Sequence, residues 1–139
     1  MARATLFIDT GYVIALVSPR DRFHAAALEW VERIKRENTL LVATRAVQLE
    51  IGAALAKLAC RSVAIQLLSA MERDPAIEIA PISEVLFRAA VETFTSRPDK
   101  EWSLTDCMSF TLMRERAITG ALSTDSHFTQ AGLEAVLLQ

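Results

Sequence analysis

Apolar residues along the chain fall into short unbroken runs and longer staggered stripes, and the two alternate. The run Ala4-Thr5-Leu6-Phe7-Ile8 stops at Asp9 and predicts a strand, because a short apolar run with a polar stop suits a strand buried on both faces. Residues 23–36 bring Phe23, Ala27, Trp30, Val31 and Ile34 to one side of a 3.6-residue period, the signature of an amphipathic helix. Thr39–Ala43 predicts a second strand. Thr44 then caps a helix whose inward side is expected to carry Val47, Ile51, Ala54, Leu55 and Leu58. The next helix, over 61–73, is expected to turn Val63, Leu67 and Ala70 inward.

Pro75 interrupts the pattern, and Ile77–Ala80, closed by Pro81, predicts a third strand. Ser83 opens a helix through Leu86, Phe87, Ala90, Val91 and Phe94. A polar loop, Arg97-Pro98-Asp99-Lys100-Glu101, separates it from a helix running from Ser103 to about Arg116. That helix is apolar nearly all round and is expected to be buried. Ile118–Leu122 and Ala135–Leu138 predict a fourth and a fifth strand. Apolar strands alternating with helices argue a parallel sheet covered on both faces, so the expected class is α/β and three-layered. With no internal repeat or low-complexity stretch, residues 1–139 read as one domain.

Composition narrows the functional classes. At 139 residues and 52% hydrophobic content, the chain can bury a core without disulfides or a structural metal, which excludes intrinsic disorder. Cys60 and Cys107 sit in helical patterns without a C-x-x-C spacing and read as buried, reduced thiols. No apolar run approaches the ~18 residues of a membrane span. The apolar stretch behind Met1 is broken at Asp9, so no signal peptide is expected and the protein reads as cytoplasmic. A net charge of −2 argues against a protein that coats nucleic acid.

In parallel sheets, ligands bind beyond the carboxyl ends of the strands. Asp9 ends the first strand, and Asp125 lies just past the fourth in Leu122-Ser123-Thr124-Asp125-Ser126-His127-Phe128. Either could simply cap a helix. Asp106 follows Ser103 at capping-box spacing. Glu50 lies roughly 85° from the centre of its helix's apolar stripe, at about 100° per residue, where a solvated glutamate is common. Together the four would repel one another in a cleft without a compensating cation. A hard divalent ion such as Mg²⁺ supplies one and suits hydrolysis of a phosphodiester. A P-loop is absent, Gly11 stands where a haloacid-dehalogenase-type phosphatase needs a second Asp, and Pro81-Ile82 follow Ala80 where a receiver domain needs its phospho-acceptor. His24 and His127 share no motif, which argues against a His-pair nuclease. His24 reads as a packing residue.

At these residues the chain resembles PIN-domain proteins, of the kind found as VapC toxins of toxin–antitoxin systems. The matching segments are Phe7–Leu16, Phe23–Ala27, Thr44–Leu55, Trp102–Phe110 and Leu122–Gly132, an ordered set spanning essentially the whole chain. The resemblance implies a three-layer, Rossmann-like PIN domain on a central five-stranded parallel sheet, acting as an Mg²⁺- or Mn²⁺-dependent endoribonuclease that cuts single-stranded RNA to 5′-phosphate and 3′-hydroxyl ends. Asp9, Glu50, Asp106 and Asp125 match the family's acidic residues. Asp9 and Asp106 are then the main metal ligands, with Asp125 completing the shell or holding a water of the ion. Glu50 orients or deprotonates the attacking water, and Thr10 and Thr124 are expected to hydrogen-bond the carboxylates. Many relatives carry a further acidic or amide residue where this chain has Ser126 and His127, which argues for one firmly bound ion. The same departure supports an alternative, a non-catalytic PIN-fold module that binds RNA or a protein partner.

Partners implied by the resemblance are RNA, a small antitoxin and a second copy of the chain. Tyr12, Arg45 and His127 are candidate substrate contacts, Trp102 a further aromatic one, and Trp30 reads as core. Residues 1–70 carry nine basic and six acidic side chains, and 71–139 six and eleven. Setting aside the four site carboxylates leaves a surplus of two positive charges. Arg20, Arg22, Arg45, Lys57 and Arg61 in the basic half could therefore guide RNA towards a metal-bearing site.

Overall fold

β1 (Thr5–Ile8) is the middle strand of a five-stranded, wholly parallel sheet in a computed structural model that describes residues 3–139. From β1 the chain runs through α1 (Thr10–Val17) and α2 (His24–Glu37) to β2 (Leu40–Thr44). Then α3 (Arg45–Ala54) and α4 (Leu58–Arg73) lead to β3 (Ile77–Ala80). A crossover through α5 (Glu84–Ser96) and α6 (Leu104–Glu115) returns it to the other side of β1, as β4 (Gly120–Leu122). Finally α7 (Ser126–Gln130) precedes β5 (Glu134–Ala135). The strand order β3-β2-β1-β4-β5 reverses direction between β1 and β4, which makes their carboxyl ends the topological switch point.

Helices cover both faces of the sheet, so the three-layered α/β expectation holds. The central strands are apolar on both faces for the same reason: Phe7, Ile8, Leu41, Val42, Ala43, Ala121 and Leu122 are all buried. α6 is as enveloped as its all-round apolar pattern predicted, with Cys107, Met108, Ser109, Phe110, Leu112 and Met113 buried. Burial, with Asp106 beside it, pushes the Cys107 thiol up. Cys60 is half-buried rather than buried, and neither cysteine is paired.

Four aromatic rings join the elements that matter for the switch point. Phe128 of α7 lies 6.4 Å from Phe7 of β1 and meets Phe110 of α6 edge-on at 5.0 Å. Trp102 meets Phe110 in the same way at 5.1 Å. Edge-to-face pairs of this kind are favourable beyond the area they bury. Because Phe7, Phe110 and Phe128 sit two to four residues from Asp9, Asp106 and Asp125, the cluster fixes three carboxylate-bearing segments against one another.

Several local expectations change. Thr10–Val17, not assigned as a separate element from the pattern, forms α1. The helix capped by Thr44 ends at Ala54, and Leu58 starts α4, exposed. The break at 55–57 resets the helical phase, so Leu58 no longer shares a face with Ile51. On α4 the buried positions are Ala64 and Met71, with Val63 and Leu67 half-buried and Ala70 exposed. On α5 only Leu86 and Ala90 are buried, while Phe87, Val91 and Phe94 lie on the exposed side. β5 is Glu134–Ala135, and Val136–Leu138 is a 3₁₀ turn rather than a strand. Val136 and Leu137 are buried in either geometry, so the apolar run alone does not distinguish them.

Candidate active site

Asp9 follows β1 directly and is 7% exposed. Its backbone N–H donates to the Leu122 carbonyl at 3.1 Å, which locks the end of β1 to the end of β4. Its Oδ2 accepts from the Ser123 hydroxyl at 2.7 Å, and the Ser123 oxygen accepts from the Asp125 N–H at 3.0 Å. This relay ties the first carboxylate to the segment that carries the fourth. Burial pushes the Asp9 carboxyl up to about 7, the Ser123 and Thr10 hydrogen bonds oppose the shift, and the Asp106 and Glu50 charges add to it.

Glu50 projects from α3, where its Oε1 accepts from the Thr10 hydroxyl at 2.6 Å. Thr10 is the first residue of α1, so the contact also clamps α1 to α3. Asp106 stands in the first turn of α6 within a full capping box: its N–H donates to Ser103 Oγ at 3.0 Å, and its Oδ2 accepts the Ser103 N–H at 3.1 Å. Asp125 caps α7 through Oδ1, which accepts the His127 N–H at 2.8 Å. The capping readings of Asp106 and Asp125 therefore hold. Each cap engages only one of the two carboxylate oxygens, so capping does not exclude a second role.

These side chains line one cleft of about 680 Å³, together with Thr10, Gly11, Ala53, Ala54, Glu101, Ser103, Thr124 and His127. All four acidic residues singled out from the sequence thus meet in one place. Gly11 lies against the far wall of the cleft: a Cβ there would stand 2.5 Å from the Thr124 hydroxyl. His127 Nδ1 lies 3.1 Å from Asp106 Oδ2 and 3.3 Å from Asp125 Oδ2.

Thr10 bonds a carboxylate as expected. Thr124 lines the cleft, but among the described residues the hydroxyl that reaches a site carboxylate beside it is that of Ser123. The sequence signal for Ser123 was its place as the first polar residue after an apolar strand. Glu101, in the polar loop, is a fifth acidic residue at the cleft and was not singled out. One expected substrate contact is corrected, and another stands apart from the cleft. Tyr12 is 4% exposed and packs in the core, where burial pushes its hydroxyl up to about 12, leaving no ring face for a base. Arg45 lies outside the cleft, held by Glu72 and Gln48. Trp102 is likewise core, its Nε1–H donating to Gln130 at 3.1 Å. His24 has the expected packing role, its Nδ1 lying 2.7 Å from the Ala15 carbonyl oxygen.

The donor set fits a divalent cation. Asp106, Asp125 and His127 present ligand atoms all within 4.8 Å of one another. Asp9 is not part of that trio. It stands behind it as a desolvated carboxylate that feels two further negative charges, an arrangement that a nearby cation relieves. Among the described residues, no helix is long and apolar enough to cross a membrane.

The fold has counterparts among solved structures. VapC20 of Mycobacterium tuberculosis, described as a sarcin–ricin loop cleaving toxin, superposes with a TM-score of 0.81. The alignment covers 94% of this chain and 97% of that one at 22% identity, so the likeness is one of fold. No curated protein matches the sequence significantly. The sequence model for the PIN domain matches residues 6–133, from the strand that delivers Asp9 to the segment beyond Asp125. A match over nearly the whole chain, on a sheet whose switch point gathers the carboxylates, establishes that this chain belongs to the PIN domain family.

Proposed function

We propose that the chain is a divalent-metal-dependent endoribonuclease that hydrolyses phosphodiester bonds of single-stranded RNA, acting in the cytoplasm as the toxin of a type II toxin–antitoxin pair. The observation that carries this reading is Asp9, buried, pushed up to about 7, and facing Asp106 and Glu50 across one cleft. A desolvated carboxylate beside two further negative charges in a cleft is the kind of group that a bound cation offsets. The likeness to VapC20 supports RNA as the substrate class.

Asp9, Asp106 and Asp125 would hold the ion, Mg²⁺ or Mn²⁺, which when bound supplies a Lewis acid for the phosphate oxygens and lowers the pKa of water. Glu50 keeps Oε2 free, because Thr10 occupies Oε1, and would orient the attacking water and accept its proton. The water oxygen bonds to phosphorus, the bond from phosphorus to the 3′ oxygen breaks, and that oxygen takes a proton from solvent. The products are a 5′-phosphate and a 3′-hydroxyl. Ser123 and Thr10 keep Asp9 and Glu50 in place throughout. A cognate antitoxin and a second copy of the chain are the protein partners this reading expects.

Purified protein, freed of any inhibitor, should cleave single-stranded RNA with Mg²⁺ or Mn²⁺ and stop on chelation. Asp9→Asn or Asp106→Asn should slow cleavage by about a hundredfold or more, the scale seen when one charge-stabilising group is lost from a dry site. Absence of cleavage with both ions would sink the enzyme reading. The alternative, a non-catalytic module binding RNA or a protein, draws on Ser126 and His127 standing where many relatives carry an acid or amide. It predicts no heat of divalent-ion binding in a calorimetric titration.

A further inference from the structure

We propose that His127 is a direct ligand of the divalent ion and that its nitrogen makes the site prefer a first-row transition ion, such as Mn²⁺, over Mg²⁺. The inference rests on the metal-dependent reading above and goes beyond it, since the family resemblance assigns the ion to carboxylates alone.

Three observations carry it. The trio of side chains whose ligand atoms converge is Asp106, Asp125 and His127, with no other acidic residue in it. Within the trio the contacts are cross-linked: Nδ1 of His127 stands 3.1 Å from Asp106 Oδ2 and 3.3 Å from Asp125 Oδ2. Two donors at about 2.1 Å from one ion, at right angles, stand about 3.0 Å apart, so these separations match neighbouring positions of one coordination sphere. The third observation is anchoring. Asp125 Oδ1 accepts the His127 N–H at 2.8 Å, and the Ser103 capping box holds Asp106, so backbone bonds fix the two carboxylates between which the imidazole sits before any ion arrives. Imidazole nitrogen favours transition ions, whereas Mg²⁺ takes oxygen donors and gives up water reluctantly. A site with one nitrogen among its donors should discriminate accordingly.

The distances also suit an N–H that donates to the two carboxylates with no metal role, and experiment separates the two. Mn²⁺ and Mg²⁺ are titrated calorimetrically into the metal-free full chain, and the Mn²⁺ form is examined by electron spin-echo spectroscopy for coupling to a directly bound nitrogen. We expect nitrogen coupling in the wild type, its loss in His127→Ala, and a fall in Mn²⁺ affinity of at least about tenfold with Mg²⁺ affinity changing far less. His127→Asp, which returns an oxygen donor, should shift the preference back towards Mg²⁺. Bound Mn²⁺ without nitrogen coupling in the wild type overturns the His127 assignment and leaves the metal-dependent reading intact. Failure of both ions to bind overturns both.

Discussion

Asp9 shows how a single side chain can cost stability to serve a site. Its carboxyl titrates near 7 in the folded chain against an ordinary value of 3.8, mainly because burial disfavours the charged form. Below about pH 4 the group is protonated in both states and contributes nothing. Between there and 7 the unfolded chain releases its proton while the folded chain keeps it, so stability falls as pH rises, and above 7 the full penalty remains. At about 1.4 kcal/mol per pH unit the penalty is of the order of a few kcal/mol. Asp9→Asn should therefore melt at a higher temperature than the wild type at pH 8, and the gain should vanish near pH 4, as checked by calorimetric scans across that range. Added Mn²⁺ should raise the melting temperature of the wild type at pH 8 and do less for the variant.

Ser123 is the counterweight. Its hydroxyl lowers the Asp9 pKa and accepts from Asp125. Ser123→Ala strips a buried carboxylate of a donor, which costs about 1–3 kcal/mol. It should raise the pH midpoint of activity rather than abolish activity. A pH–rate profile unchanged from the wild type would remove Ser123 from the site.

At the scale of elements, the cleft depends on close approach as much as on charge. α1 begins one residue after Asp9, and its Gly11 passes so near the β4–α7 segment that a Cβ would meet the Thr124 hydroxyl. Gly11→Ala must displace the Thr124 hydroxyl, which lines the cleft beside Asp125. Cleavage should drop while the fold survives, and adding Thr124→Ala should recover denaturant resistance lost in the single variant. A double variant no more stable than the single one would show that the clash is not the cause. Elements are also where the hydrophobic pattern misled. Phe87, Val91 and Phe94 follow the helical period as faithfully as Leu86 and Ala90, yet α5 buries only the latter pair. Periodicity reports a stripe; how much of it is covered depends on the neighbouring helix, and α6 covers one edge.

For the molecule as a whole, the net charge of −2 and the basic half are reconciled by placement. The cleft gathers Asp9, Glu50, Glu101, Asp106 and Asp125, so it repels RNA until a cation enters. Of the arginines and lysine expected to guide RNA, Arg45 is engaged by Glu72, whereas Lys57 and Arg61 are exposed. Monovalent salt should weaken RNA binding, as for any phosphate contact. Mn²⁺ or Mg²⁺ at constant ionic strength should strengthen it. Fluorescence anisotropy of a labelled single-stranded oligonucleotide with Glu50→Gln, a variant expected to slow turnover, measures both effects. Binding that Mn²⁺ and Mg²⁺ leave unchanged or weaken would argue that the cleft is not where the phosphate sits.

Local chemistry made much of this protein readable from its residues. The strands at β1 to β4, the caps at Thr44, Ser83 and Ser103, and the strand-end position of Asp9 follow from apolar runs and side-chain hydrogen bonds that act over a few residues. Asp9, Asp106 and Asp125 could be named for the same reason, since each ends or opens an element, whereas Glu50, in the middle of α3, stood out only at the margin of an apolar stripe. Tertiary structure decided what depends on residues far apart in the chain. Whether Tyr12 faces solvent or core, whether Arg45 is free, and whether Val136–Leu138 continues a strand are settled by what packs against them. The aromatic cluster of Phe7, Phe110 and Phe128, and the relay from Asp125 through Ser123 to Asp9, span more than a hundred residues. His127 makes the point most sharply: two residues from Asp125 in sequence, it reads as a candidate substrate contact until α6 brings Asp106 to within 3.1 Å. Capping and periodicity act through neighbours along the chain, whereas a metal site needs donors that only the folded sheet brings together.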